Sequence, residues 1–254
     1  MFLSQLIQTL TVIGVEVLQK DGCYLNLSGN QIGAIMAKYI LEAHKNAGTL
    51  PENAALCKSI VSTDLVTKIA ESYGATMFNV LTGFKFIAEK IQEFEEKHNH
   101  TYMMGFEESF GYLIKPFVRD KDAIQAVLVV AELAAYYRSR GLTLADGIEE
   151  IYKEYGYYAE KTISVTLSGV DGAEQIKAIM AKFRNNAPKE WNATAITVVE
   201  DFKAQTATAA DGTVTNLTTP PSDVLKYTLA DGSWIAVRPS GTETKKSKFH
   251  TMQL

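Results

Sequence analysis

The sequence predicts an α/β fold: a mixed sheet covered by helices, followed by a smaller α+β domain with a mainly antiparallel sheet. Two observations predict it. Between residues 28 and 155, short apolar runs alternate with stretches of helical periodicity, the pattern of parallel strands joined by crossover helices. After Gly156 strand patterns outnumber helical ones, and Asp211-Gly212 and Asp231-Gly232 supply tight turns between them. A length of 254 residues accommodates both domains.

Each element follows in order. Val15 to Leu18 and Tyr24 to Leu27 flank Asp21-Gly22 and read as a hairpin. Ser28 with Gln31 three residues later is a capping box, and Ile32, Ile35, Met36, Tyr39, Ile40 and Ala43 continue it as one apolar helical face. A short strand is expected at 58–61, with Ser62-Thr63-Asp64 capping a helix that stops at Gly74. A strand at 76–81 leads through Thr82-Gly83-Phe84-Lys85 into a helix carrying Ile87, Ile91 and Phe94. Tyr102-Met103-Met104 is a third strand. Residues 122–140 read as a long buried helix, and Thr143 with Asp146 caps the next. Beyond Gly156, strands are expected at 163–167, 196–199, 224–229 and 234–237, with one helix around Ile176, Ile179, Met180 and Phe183.

Composition narrows the function classes. The chain is 46% hydrophobic and 21% charged, as in globular proteins, and its net charge of −4 argues against a broad nucleic-acid footprint. Cys23 and Cys57 make no disulfide framework, and no zinc-ligand spacing occurs. His98 and His100 read as an exposed polar turn. The apolar start of the chain lacks a basic segment and a cleavage site and is too short to span a bilayer. No membrane association is expected, and the cytoplasm is the default location.

Two loops carry the candidate chemistry. In Gly105-Phe106-Glu107-Glu108-Ser109-Phe110-Gly111 two carboxylates and a hydroxyl follow a buried strand. Carboxylates accept hydrogen bonds from vicinal hydroxyls and serine adds another, whereas a bare phosphate would be repelled. The same residues also fit a solvated acidic turn. Lys85 lies where a helix dipole disfavours a cation, which fits either a functional lysine or an exposed one. The second loop is Arg238-Pro239-Ser240-Gly241-Thr242-Glu243. Its guanidinium fork, hydroxyls and glycine N–H suit a phosphate; an ordinary turn with a surface arginine fits too. A hydroxyl-reading loop and a phosphate-reading loop together point to a sugar phosphate.

Those two motifs together resemble the α-D-phosphohexomutases, the phosphoglucomutase and phosphomannomutase superfamily, from about Gly14 to Glu243. The Gly-Phe-Glu-Glu-Ser-Phe-Gly form looks most like bacterial phosphoglucomutases. Family members have four domains. The resemblance places 28–156 as the third, sugar-binding domain, 157–254 as the fourth, phosphate-binding domain, and 1–27 as a remnant of the second with an altered N-terminus. It implies that Glu107 and Ser109 read sugar hydroxyls, that Lys85 contacts substrate, and that Arg238, Ser240, Gly241 and Thr242 hold the substrate phosphate.

The resemblance also implies a reaction. A phosphoserine donates phosphate to a hexose monophosphate, the bisphosphate reorients, and its other phosphate returns to the serine. Glucose 1-phosphate and glucose 6-phosphate are thereby interconverted. Magnesium and glucose 1,6-bisphosphate serve the full-length family. The phosphoserine loop and the Asp-x-Asp-x-Asp metal loop of the first two domains have no counterpart here. Thr9 to Ile13 stands where the metal loop is expected, and Thr244 to Lys248 replaces a Pro-Lys and apolar strand. The expectation is a C-terminal half altered at both ends by truncation or a reading-frame change. It supplies recognition, with a separate chain carrying domains one and two as a possible partner. The alternative is a non-catalytic sugar-phosphate-binding fragment.

Overall fold

The chain folds as two compact units, Met1–Tyr157 and Tyr158–Leu254. The computed structural model describes residues 2–6, 11–19, 21–167, 171–239 and 246–253. The first unit opens with an antiparallel sheet of β1 (Phe2–Leu6), β2 (Ile13–Leu18) and β3 (Tyr24–Leu27). The Asp21-Gly22 turn closes β2 on β3, with the Asp21 carboxylate accepting the Cys23 N–H at 2.9 Å. Ser28 then caps α1 (Gly29–Asn46): its Oγ accepts the Gln31 N–H at 3.1 Å, and the Gln31 Oε1 accepts the Ser28 N–H at 2.9 Å.

The chain continues through β4 (Ala54–Ser59), α2 (Leu65–Ser72), β5 (Thr76–Val80), α3 (Phe84–Lys97), β6 (Thr101–Glu107), β7 (Gly111–Leu113), α4 (Ala123–Ser139) and α5 (Leu144–Tyr155). The sheet order is β5-β4-β6-β7. β4 pairs in parallel with β5 and β6, and β7 turns back antiparallel on β6. Every residue of β4 is buried, as a central parallel strand covered on both faces must be. On one face Phe84, Ile87, Ile91 and Phe94 of α3 pack on Ala55, Cys57 and Tyr102. On the other lie α1, α2 and α5, with α4 against β7 and β2. Burial of each such large side chain stabilises the unit by about 1.5–3 kcal/mol. Among the described residues no helix is long and apolar enough to cross a membrane.

Four local expectations are corrected. The strand read at 58–61 starts at Ala54 and ends at Ser59; residues beyond it turn, with the Ser62 N–H donating to the Ser59 carbonyl. The strand read at 102–104 runs on to Glu107, so the acidic loop shrinks to three residues. The 122–140 helix is buried along one face only: Ile124 and Leu128 are each 63% exposed. His100 is no free polar turn. Its ring sits 4.9 Å from that of Phe78 and 5.1 Å from that of Phe94.

The second unit contains β8 (Glu160–Thr166), α6 (Gly172–Asn185), β9 (Glu190–Trp191), β10 (Thr194–Asp201), β11 (Thr206–Ala209), β12 (Val214–Asn216), β13 (Leu225–Leu229), β14 (Trp234–Pro239) and β15 (Lys246–Gln253). Its sheet runs β12-β11-β10-β13-β14-β15-β8, with β9 paired to β10, and is antiparallel throughout its described pairings. Met180 of α6 packs on Leu225, Tyr227, Ile235 and Val237. The lysine-rich stretch after residue 243 does not end the sheet: β15 pairs with both β14 and β8.

Candidate functional site

The parallel strands β4, β5 and β6 end at the same edge, where open α/β sheets hold their ligands. The acidic motif stands there as the hairpin joining β6 to β7. Glu107 pairs with Gly111, leaving Glu108, Ser109 and Phe110 as the connection. Three-residue hairpin loops place their last residue in the left-handed region, and Phe110 does so with φ 69°. Its carbonyl accepts the Ile13 N–H at 3.3 Å. Ser109 is exposed at the tip.

The two carboxylates diverge. Glu107 is 8% exposed, and its Oε1 accepts the Gly83 N–H at 2.7 Å. Gly83 adopts φ 119°, ψ 121°, a conformation that only glycine takes readily, at the N-terminus of α3. The carboxylate therefore meets both a backbone donor and the positive end of a helix dipole. Lys85 lies in the first turn of α3, exposed, with its ammonium 4.7 Å from the centroid of the Phe86 ring. The hairpin and the Thr82-to-Lys85 turn, read separately in the sequence, are thus joined by one hydrogen bond.

Glu108 faces β4. Its Oε2 accepts the Ser59 hydroxyl at 2.9 Å and the Ser62 hydroxyl at 3.4 Å, and its N–H donates to the Ser62 Oγ at 3.1 Å. Ser59 and Ser62 are fully buried and their hydroxyls lie 2.9 Å apart. Beside them the Lys58 ammonium, 1% exposed, donates to the Ser62 carbonyl at 3.0 Å and to the Asp64 carboxylate at 2.8 Å. That contact corrects the expected cap: Asp64 precedes α2 but makes no capping bond, because its carboxylate neutralises the buried ammonium. Thr63 Oγ1 accepts the Leu65 N–H instead, at 3.2 Å. Below the hairpin Tyr112 donates to the Gly29 carbonyl at 2.8 Å. Burial, reinforced by the Glu108 charge, pushes its hydroxyl well above the ordinary tyrosine range.

Sequence reasoning missed Lys58, Ser59 and Ser62. The one signal was a lysine–serine pair inside an apolar run, where an unpaired ammonium would be costly. In the second unit, Arg238 is half-buried near the end of β14, in register with Lys248 of β15. Ser240, Gly241 and Thr242 lie outside the described residues. Among the described residues no group of three or more His, Cys, Asp or Glu side chains is placed to hold a metal ion. A groove of about 500 Å³ between β2 and α4, lined by Val17, Leu18, Ala131, Ala135 and Leu144, does not include the hairpin.

An α/β/α layer with an acidic hairpin at the carboxyl ends of its parallel strands defines a ligand-holding domain of the open-sheet class. Residues 28–155 match the domain family described as phosphoglucomutase/phosphomannomutase, alpha/beta/alpha domain III. The chain belongs to the phosphoglucomutase/phosphomannomutase family. It is 36% identical over 234 residues to phosphoglucomutase of Staphylococcus aureus (strain bovine RF122 / ET3-1), a match covering 92% of this chain and 41% of that protein. The chain thus spans less than half the length of such relatives. Its fold resembles parafusin (phosphoglucomutase) from Paramecium in its open form, with a TM-score of 0.64 at 16% identity over 99% of this chain and 40% of that one. It also resembles N-acetylphosphoglucosamine mutase from Aspergillus fumigatus in complex with GlcNAc-6P and magnesium, with a TM-score of 0.53 at 12% identity over 98% of this chain and 48% of that one. A second structure of the Aspergillus enzyme, covering 99% of this chain and 44% of that one at the same TM-score of 0.53 and 12% identity, is a complex with glucose 1,6-bisphosphate.

Proposed function

We propose that this chain supplies the sugar- and phosphate-recognition half of a phosphoglucomutase acting on glucose 1-phosphate and glucose 6-phosphate. The observation that carries the reading is the hairpin itself. Glu107 is held by a backbone N–H at the mouth of the sheet, beside an exposed Ser109, which suits hydroxyls and repels a bare anion. Glu107 and Ser109 take the sugar hydroxyls and Lys85 contacts the substrate from the adjoining turn. Arg238, Ser240, Gly241 and Thr242 take the phosphate on the second unit. The assignments of the third domain to 28–156, of the fourth to 157–254 and of a second-domain remnant to 1–27 belong to this reading.

The described residues do not fit a magnesium site: no group of three or more His, Cys, Asp or Glu side chains is placed among them to hold the ion. In this reading the phosphoserine and the metal loop belong to domains one and two, on residues beyond this sequence. A non-catalytic sugar-phosphate-binding fragment is the second reading.

Titration calorimetry with glucose 1-phosphate tests the binding, and a coupled mutase assay with magnesium and glucose 1,6-bisphosphate tests turnover. Binding that is weakened by Glu107→Ala and by Arg238→Ala supports recognition by both loops. Turnover on adding domains one and two separates the two readings. Absence of binding in the intact chain overturns both.

A further inference from the structure

The two adjacent acids of the hairpin do different work. We propose that Glu108 is a positioning residue: through Ser59 and Ser62 it holds the 107–111 hairpin in the conformation that presents Glu107 and Ser109 to hydroxyls. The inference rests on the sugar-recognition reading of that hairpin.

Three observations carry it. First, Glu108 is tied twice, by its carboxylate to both serine hydroxyls and by its N–H to the Ser62 Oγ. The two serines are fully buried, and a buried hydroxyl without an acceptor is costly, so the carboxylate is held as firmly as it holds. Second, Ser59 is the last residue of β4, the central strand covered on both faces, which gives the anchor a rigid base. Third, the loop is hemmed in. A Cβ at position 29 would overlap the Glu108 carbonyl, so α1 and the hairpin are in van der Waals contact there. Phe110, at φ 69°, keeps a conformation that side chains other than glycine hold only when neighbours over-determine it. The Ile13 N–H on its carbonyl is one such neighbour, and Glu108, two residues before it and anchored on Ser59 and Ser62, fixes the other side of the loop.

The test uses glucose 1-phosphate binding together with amide hydrogen exchange on the full chain. Glu108→Ala is expected to weaken binding about tenfold, the scale of a lost hydrogen bond to a charged group. Ser59→Ala with Ser62→Ala is expected to weaken it to a similar degree, and the triple variant no further. Glu108→Gln, which still accepts from the hydroxyls, restores most of the affinity. Exchange protection of the Ile13 N–H falls in Glu108→Ala and returns in Glu108→Gln, while amides of β14 are unchanged. Additive losses of affinity with Ile13 protection intact overturn the proposal, because Glu108 then touches the ligand itself. If the intact chain does not bind glucose 1-phosphate, the sugar reading fails, and Ile13 protection alone still decides whether Glu108 positions the hairpin.

Discussion

The Glu107 carboxylate accepts the Gly83 N–H at 2.7 Å, and this bond ties the hairpin after β6 to the turn that starts α3. The two segments lie on neighbouring stretches of the sheet edge because β5 and β6 both pair with β4. Glu107→Ala removes a charged acceptor from a backbone donor in a partly buried site. It is expected to lower stability by about 1–3 kcal/mol in urea unfolding, as well as to weaken hexose phosphate binding. Equal stability with lost binding would mean that the bond to Gly83 carries no structural weight.

Gly29 opens α1 directly against the Glu108 carbonyl, with no room for a Cβ. Gly29→Ala forces backbone apart from backbone, which no side-chain rotation relieves. A loss of about 1–3 kcal/mol is expected, with weakened binding of glucose 1-phosphate and reduced exchange protection at Ile13. An alanine variant with wild-type stability and binding would show that α1 and the hairpin are not in contact.

Cys23 is exposed on the turn before β3, whereas Cys57 is fully buried under α3. Burial pushes the Cys57 thiol up to about 12, so at neutral pH it is neither accessible nor ionised. A colorimetric disulfide reagent should titrate one thiol in the native chain and two after denaturation. Two fast thiols in the native state would place Cys57 outside the core.

Alkali should unfold the protein. Burial raises Cys57, Tyr137 and Tyr227 each to about 12. In the unfolded chain the thiol titrates near 8.5 and tyrosines near 10. The folded state holds these protons more tightly, so their contribution is complete below about pH 8.5 and is lost as the pH rises toward 12. Each group released only on unfolding lowers stability by about 1.4 kcal/mol per pH unit. The urea midpoint should hold steady from pH 7 to 8 and fall steeply between 10 and 12. A flat midpoint through pH 11 would show that these groups are not buried in the folded state.

Much of this architecture was legible locally. The Ser28–Gln31 and Thr143–Asp146 capping boxes form as their spacing requires, because both partners lie within one helical turn. Alternation of Ile13, Val15 and Val17 sets one face of β2 inward. The acidic hairpin was visible because its residues are contiguous, and so was the turn holding Lys85. Of the four residues expected to hold phosphate, only Arg238 falls among those described.

What the sequence determined by itself, then, is whatever depends on neighbours along the chain: periodicity, caps, turns and the composition of each loop. Tertiary structure decided which loops meet. Ser59 and Glu108 are 49 residues apart, and Gly83 and Glu107 are 24 apart. They touch only because β4, β5 and β6 are registered in parallel. The same register chose between the two acids, since successive residues leaving a strand face opposite sides. Glu107 points to the end of α3 and Glu108 to the serines of β4. It also turned Asp64 from a cap into the counter-charge of Lys58, because an ammonium buried at 1% exposure needs a carboxylate more than a helix end that water can reach.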